Sequence, residues 1–110
     1  MTQTNRLVGS GTGPTIFFTG PSTNGNVVGT QLAGLLNLNI GENVTGKIAE
    51  IVMDLAMPSP DYAILLTDAD PFGVTYWYAR PISANRWEFG TKTPTNEGPH
   101  RVSYFVVGFS

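Results

Sequence analysis

Asp68 and Asp70 stand two residues apart. A D-x-D pair offers the hard carboxylate oxygens that calcium or magnesium takes. The further oxygen ligands of a calcium loop do not follow, Asp61 alone lies nearby, and Pro71 restricts the loop. The pair reads as a solvated acidic turn, and no metal site is expected. His100 is the single histidine. A serine-type mechanism needs such a base beside a nucleophile, with an acid to orient it, and no G-x-S-x-G elbow is present. The chain has no cysteine, which excludes thiolate nucleophiles, zinc–thiolate sites and disulfides. Gly9-Ser10-Gly11-Thr12-Gly13 looks like a phosphate cradle, but no strand precedes it and no Lys-Ser or Lys-Thr pair closes it. The run reads as flexible chain. Asn43-Val44-Thr45 fits a glycosylation pattern and reads as a chance match in a turn. No catalytic constellation assembles, so the expectation is a non-enzymatic protein without a cofactor.

Tyr76, Trp77 and Tyr78 are the other conspicuous group. Three consecutive aromatics in a strand cannot all face one core, because successive side chains alternate. At least one must face outward, toward a ligand such as a sugar ring or toward another subunit. The interface reading is preferred.

Composition narrows the class further. The chain has 110 residues, one domain's worth, and only 13% of them are charged. Thirteen glycines and eight prolines supply turns. The six basic residues, Arg6, Lys47, Arg80, Arg86, Lys92 and Arg101, are scattered and the net charge is −2, which speaks against nucleic acid. No apolar run is long enough to span a membrane as a helix, and residues 1–13 do not read as a secretory leader.

These residues must be positioned by strands. Thr15–Thr19 is a strand candidate, followed by a turn over 22–26 on the strength of Asn24-Gly25. Leu36, Leu38 and Ile40 alternate with Asn37 and Asn39, the period of a half-buried strand. Gly41-Glu42-Asn43 turns the chain. Residues 47–57 fit a strand face (Ala49, Ile51, Met53, Leu55, Met57) and also a helix face (Ile48, Ile51, Val52, Leu55). The strand is preferred, because no N-cap precedes the run and Pro58 follows it directly. Strands are also expected over 62–67, 74–80, 86–90 and 101–109. The expected core is Leu36, Leu38, Ile64, Leu66, Trp87, Phe89, Phe105 and Val107. The fold class is therefore all-β, an antiparallel β-sandwich or jelly roll over residues 14–110, with an extended N-terminal arm over 1–13.

The order of features after residue 61 carries a resemblance. YAILLT, VTYWYARPI, RWEF, a polar loop and a final VSYFVVGF follow one another. This resembles the C-terminal β-sandwich modules of phage tail fibres and, less closely, the H-type lectins. The chain starts at Met1 and reads as complete, and with its short arm it looks more like a phage head decoration (cement) protein. The resemblance implies a homotrimer in the virion, assembled in the host cytoplasm, that binds the major capsid protein or another virion protein. It implies an arm gripping the shell through Arg6, Leu7 and Val8, with Tyr76, Trp77 and Tyr78 at a subunit interface or ligand site. The alternative is a tail-fibre tip module that recognises a host surface glycan.

Overall fold

The computed structural model describes residues 13–20, 23–69 and 76–108. Among them are eight strands and no helix: β1 (Thr15–Phe18), β2 (Asn24–Gly29), β3 (Ala33–Ile40), β4 (Gly46–Val52), β5 (Tyr62–Asp68), β6 (Trp77–Ser83), β7 (Arg86–Thr91) and β8 (Gly98–Gly108). They form two antiparallel four-stranded sheets, ordered β1-β4-β7-β6 and β2-β3-β8-β5. The sheets enclose one core in the manner of a β-sandwich. Leu36, Leu38 and Ile40 of β3 and Val102, Tyr104 and Val106 of β8 line it from one side. Ile48, Ala49 and Ile51 of β4 and Trp87 and Phe89 of β7 line it from the other.

The turn expected around Asn24-Gly25 is not a turn. Asn24–Asn26 open β2 and pair with Asn37–Asn39 of β3. The chain reverses instead at Thr30–Ala33, where the Thr30 N–H donates to the Ala33 carbonyl at 2.9 Å. Pairing to β3 runs the full length of β2 and satisfies the backbone groups on that side, which outweighs the local preference of Asn-Gly for a hairpin. The Gly41–Asn43 turn forms as expected, with Asn43 at φ 60°, a left-handed conformation that asparagine tolerates.

Residues 46–52 are a strand, not a helix, but the strand stops short of the expected 57. A bulge between Lys47 and Ala49 turns the adjacent side chains of Ile48 and Ala49 both into the core. Beyond Val52 the chain leaves the ladder. The N–H groups of Met53 and Met57 donate to the carbonyls of Asn85 and Ala84, which leaves Leu55 exposed. The polar loop after β7 is anchored by buried Thr95. Its hydroxyl accepts from the Val44 N–H at 3.1 Å and donates to the Gly41 carbonyl at 2.7 Å.

The last strand presents the opposite face to the one expected. Val102, Tyr104 and Val106 are buried, whereas Phe105 is 37% exposed and Val107 half-buried. Tyr104 wins the interior because its hydroxyl finds the Thr30 carbonyl at 2.5 Å and has room beside Gly34. A Cβ at Gly34 would stand 2.8 Å from that hydroxyl and 2.4 Å from the Val28 carbonyl oxygen, so only glycine fits there. Ile64 and Leu66 are half-buried and pack against the core from the edge strand β5. Leu36, Leu38, Trp87 and Phe89 are buried as expected.

The Trp87 ring sits 5.8 Å from that of Tyr104, and its indole N–H has no hydrogen-bond partner among the described residues. Volume, not a hydrogen bond, is what Trp87 contributes. Trp87→Ala is expected to cost about 3–5 kcal/mol in urea unfolding, and Phe105→Ala less than about 1.5 kcal/mol. Equal losses at the two sites would contradict this assignment of faces.

Candidate functional site

The outer face of the β2-β3-β8-β5 sheet is built in rows by strand register. Asn24, Asn39 and Pro99 stand side by side across β2, β3 and β8, and Asn26, Asn37 and Arg101 form the next row. Val28, Leu35, Ser103 and Thr67 follow, then Ala33, Phe105 and Leu65, then Val107 and Ala63. The face therefore changes character along its strands. One end is amide-rich and carries the single cation Arg101. The other end is apolar, and there Leu65 is 55% and Val28 52% exposed.

The polar end is concave. An open hollow of about 500 Å³ is lined by the four asparagines, Pro99 and Arg101, with Gly25 and Leu38 contributing to its floor. Gly25 has φ 153°, and a Cβ there would stand 2.0 Å from the Asn37 carbonyl oxygen. No other residue fits at that point.

The three aromatics Tyr76, Trp77 and Tyr78 do not act together. Trp77 turns inward, stacks on Phe89 with ring centroids 5.2 Å apart, and meets His100 edge-on at 5.6 Å. Its indole N–H points to Asp68 Oδ2 at 3.4 Å. Tyr78 turns outward and covers Gly90, where a Cβ would come within 2.6 Å of the ring. Its hydroxyl donates to Glu88 Oε2 at 2.7 Å. Only Tyr76 is left exposed, with the Lys92 ammonium 5.0 Å from its ring centroid.

His100 Nε2 donates to the Asn96 carbonyl at 2.8 Å, so its ring ties the last loop to the Trp77 stack. Asp70 lies outside the described residues, as do Arg6, Leu7 and Val8 of the expected arm. Among the described residues no group of three or more His, Cys, Asp or Glu side chains is placed to hold a metal ion.

On the outer face of the other sheet Glu50 and Glu88 stand opposite each other across β4 and β7. Each is held by cations: Glu50 by Lys47 and by Arg86 at 2.5 Å, Glu88 by Arg80 at 3.2 Å. Like carboxylates side by side repel, and the flanking cations offset this. The hydrogen bond from Lys47, then that from Arg86, holds the Glu50 carboxyl below its usual range. Its contribution to stability is thus present above the ordinary glutamate range and is lost as pH falls through the lowered value.

The asparagine rows and the apolar end were not singled out from sequence. The alternation of Asn37 and Asn39 with leucines marked an outward polar face. Their partners Asn24 and Asn26 were hidden by the turn signature of Asn-Gly. Comparison with protein-family models, with curated proteins and with solved structures finds no match to this chain.

Tyr104 and Tyr78 are pushed up to about 12, both chiefly by burial and Tyr78 also by the adjacent Glu88. A raised tyrosine stabilises the fold fully below its unfolded value near 10, and that contribution is lost as pH rises through the folded value. Stability is expected to fall between about pH 10 and about pH 12. Tyr104→Phe should be less stable at neutral pH by about 1–2 kcal/mol, from the unpaired Thr30 carbonyl, and its alkaline decline should be shallower. Melting curves against pH check this, and an unchanged alkaline slope in the variant would contradict it.

Proposed function

We propose that this chain is a non-enzymatic assembly module that associates with copies of itself through the apolar end of the β2-β3-β8-β5 sheet. The observation that carries the reading is the cluster of Val28, Leu65 and Phe105 on one outward face, with Leu35 and Ala33 between Val28 and Phe105 and with Val107 in the next row beyond. Solvent-facing sheet positions ordinarily hold polar residues, and contiguous exposed apolar surface marks an interaction site. The cluster contains no charge that a second copy would leave unpaired, and copies of one chain usually close by symmetry.

The resemblance to phage decoration proteins gives this module a particular setting. In that reading the chain is a trimeric capsid cement protein, and the arm with Arg6, Leu7 and Val8 attaches it to the major capsid protein. The number three and the capsid come from the resemblance, and the jelly-roll form of the sandwich from the strand and turn pattern of the sequence. The alternative is a tail-fibre tip module that recognises a host surface glycan; Tyr76, Trp77 and Tyr78 serve either reading, as interface or as ligand site, and Trp77 and Tyr78 also have contacts within the chain.

Light scattering on the purified chain tests self-association. A trimer is expected, and Leu65→Asp should convert it to monomer with little loss of monomer stability, since Leu65 is exposed. A wild-type chain that stays monomeric at high concentration would overturn the reading. Co-sedimentation with undecorated phage heads tests the setting. Stoichiometric binding is expected, weakened sharply by deletion of residues 2–12; no binding would remove the capsid role.

A further inference from the structure

We infer that the hollow at the polar end of the β2-β3-β8 face is a binding site for a neutral saccharide. The site lies at the opposite end of the face from the self-association surface, and the inference stands apart from that reading.

Asparagine is disfavoured in strands, where threonine and the β-branched residues are the usual choice. Here four asparagines occupy two adjacent strands, all on one face and in register: Asn24 opposite Asn39, Asn26 opposite Asn37. A solvated sheet face does not require this. The floor is built as well, because Gly25 brings the β2 backbone so close to Asn37 that no side chain fits between them. A local departure from strand preference with no gain in packing is the mark of a site held for a ligand.

The lining selects the ligand class. Two rows of amides lie about 7 Å apart along the strands, with partners about 5 Å apart across them. Each amide presents an acceptor and two donors in one plane. Such a grid fits neighbouring hydroxyls, each of which both donates and accepts. Exposed Pro99 at the end of one row offers an apolar surface to the C–H face of a sugar ring. No carboxylate lines the hollow, so it is not built for a cation. A single arginine on a chain of net charge −2 is too little for a nucleic-acid backbone. The Leu38 side chain is buried in the core, and Pro99 alone is too little apolar surface for a hydrophobic ligand. The hollow lies on a sheet face, not at a free strand edge, so it does not offer the ladder that captures an extended peptide.

The test is a titration of the full chain, followed by backbone and side-chain amide NMR, with the methyl pyranosides of glucose, galactose, mannose and N-acetylglucosamine. At least one should give saturable shifts confined to the asparagine rows and Gly25, with a millimolar dissociation constant suited to a small ligand in an open site. Asn26→Ala with Asn37→Ala should weaken that binding about tenfold or more without lowering the melting temperature appreciably. Asn24→Ala, a milder change at the exposed edge strand, should weaken it about two- to fivefold. Leu65→Asp should leave it unchanged, which separates this site from self-association. Absence of saturable shifts with all four sugars, shifts centred on Tyr76 instead, or undiminished binding in both asparagine variants would overturn the inference.

Discussion

The register of β8 between β3 and β5 fixes what this molecule can show to its surroundings. β8 is the longest strand, and it pairs along most of its length with a neighbour on each side. A slip of one residue would exchange its two faces completely. Val102, Tyr104 and Val106 would leave the core, and Arg101 and Phe105 would enter it. The first exchange would strand the Tyr104 hydroxyl from the Thr30 carbonyl, and the second would bury a guanidinium. Both are costly, so the register is strongly specified. The amide-rich hollow and the apolar end are consequences of that one alignment, since each takes its β8 residues from the odd-numbered positions.

One close approach supports the alignment, and a second like it braces the other sheet. Tyr104 lies against Gly34 inside the sandwich, and Tyr78 lies over Gly90 on the outside of the other sheet. In each case a neighbouring tyrosine fills the space that a glycine leaves in the strand, and its hydroxyl then finds an acceptor, the Thr30 carbonyl in one case and Glu88 in the other. Two of the consecutive aromatics 76–78 have such a role within the chain. Trp77 closes the core against Phe89, and Tyr78 closes the sheet over Gly90.

The sequence made the all-β class and most strands legible, because alternation at Leu36–Leu38–Ile40 and Trp87–Phe89 is a local signal. The faces of β8 were not legible. Tyr104-Phe105-Val106-Val107 is apolar at both parities, so periodicity cannot choose between them, and the choice rests on a hydrogen bond to Thr30, 74 residues away in sequence. The asparagine rows were hidden for a related reason. Asn24-Gly25 is a strong hairpin signal on its own and becomes strand only when β3 is present to pair with it. The order of strands within each sheet depends on partners far apart in the chain, such as β3 with β8 and β4 with β7, and no local pattern encodes them.

The most direct measurement of this account is the accessibility of β8 positions one by one, and the absence of any native cysteine makes thiol labelling clean. Single cysteines are placed at Arg101, Val102, Phe105 and Val106, each on the Leu65→Asp background so that self-association does not mask the face. The account predicts rapid labelling for Arg101→Cys and Phe105→Cys. It predicts labelling slower by about a hundredfold or more for Val102→Cys and Val106→Cys, which react only when the sandwich opens. Fast labelling at 102 and 106 with protection at 101 and 105 would place the other face of β8 outward and contradict the account.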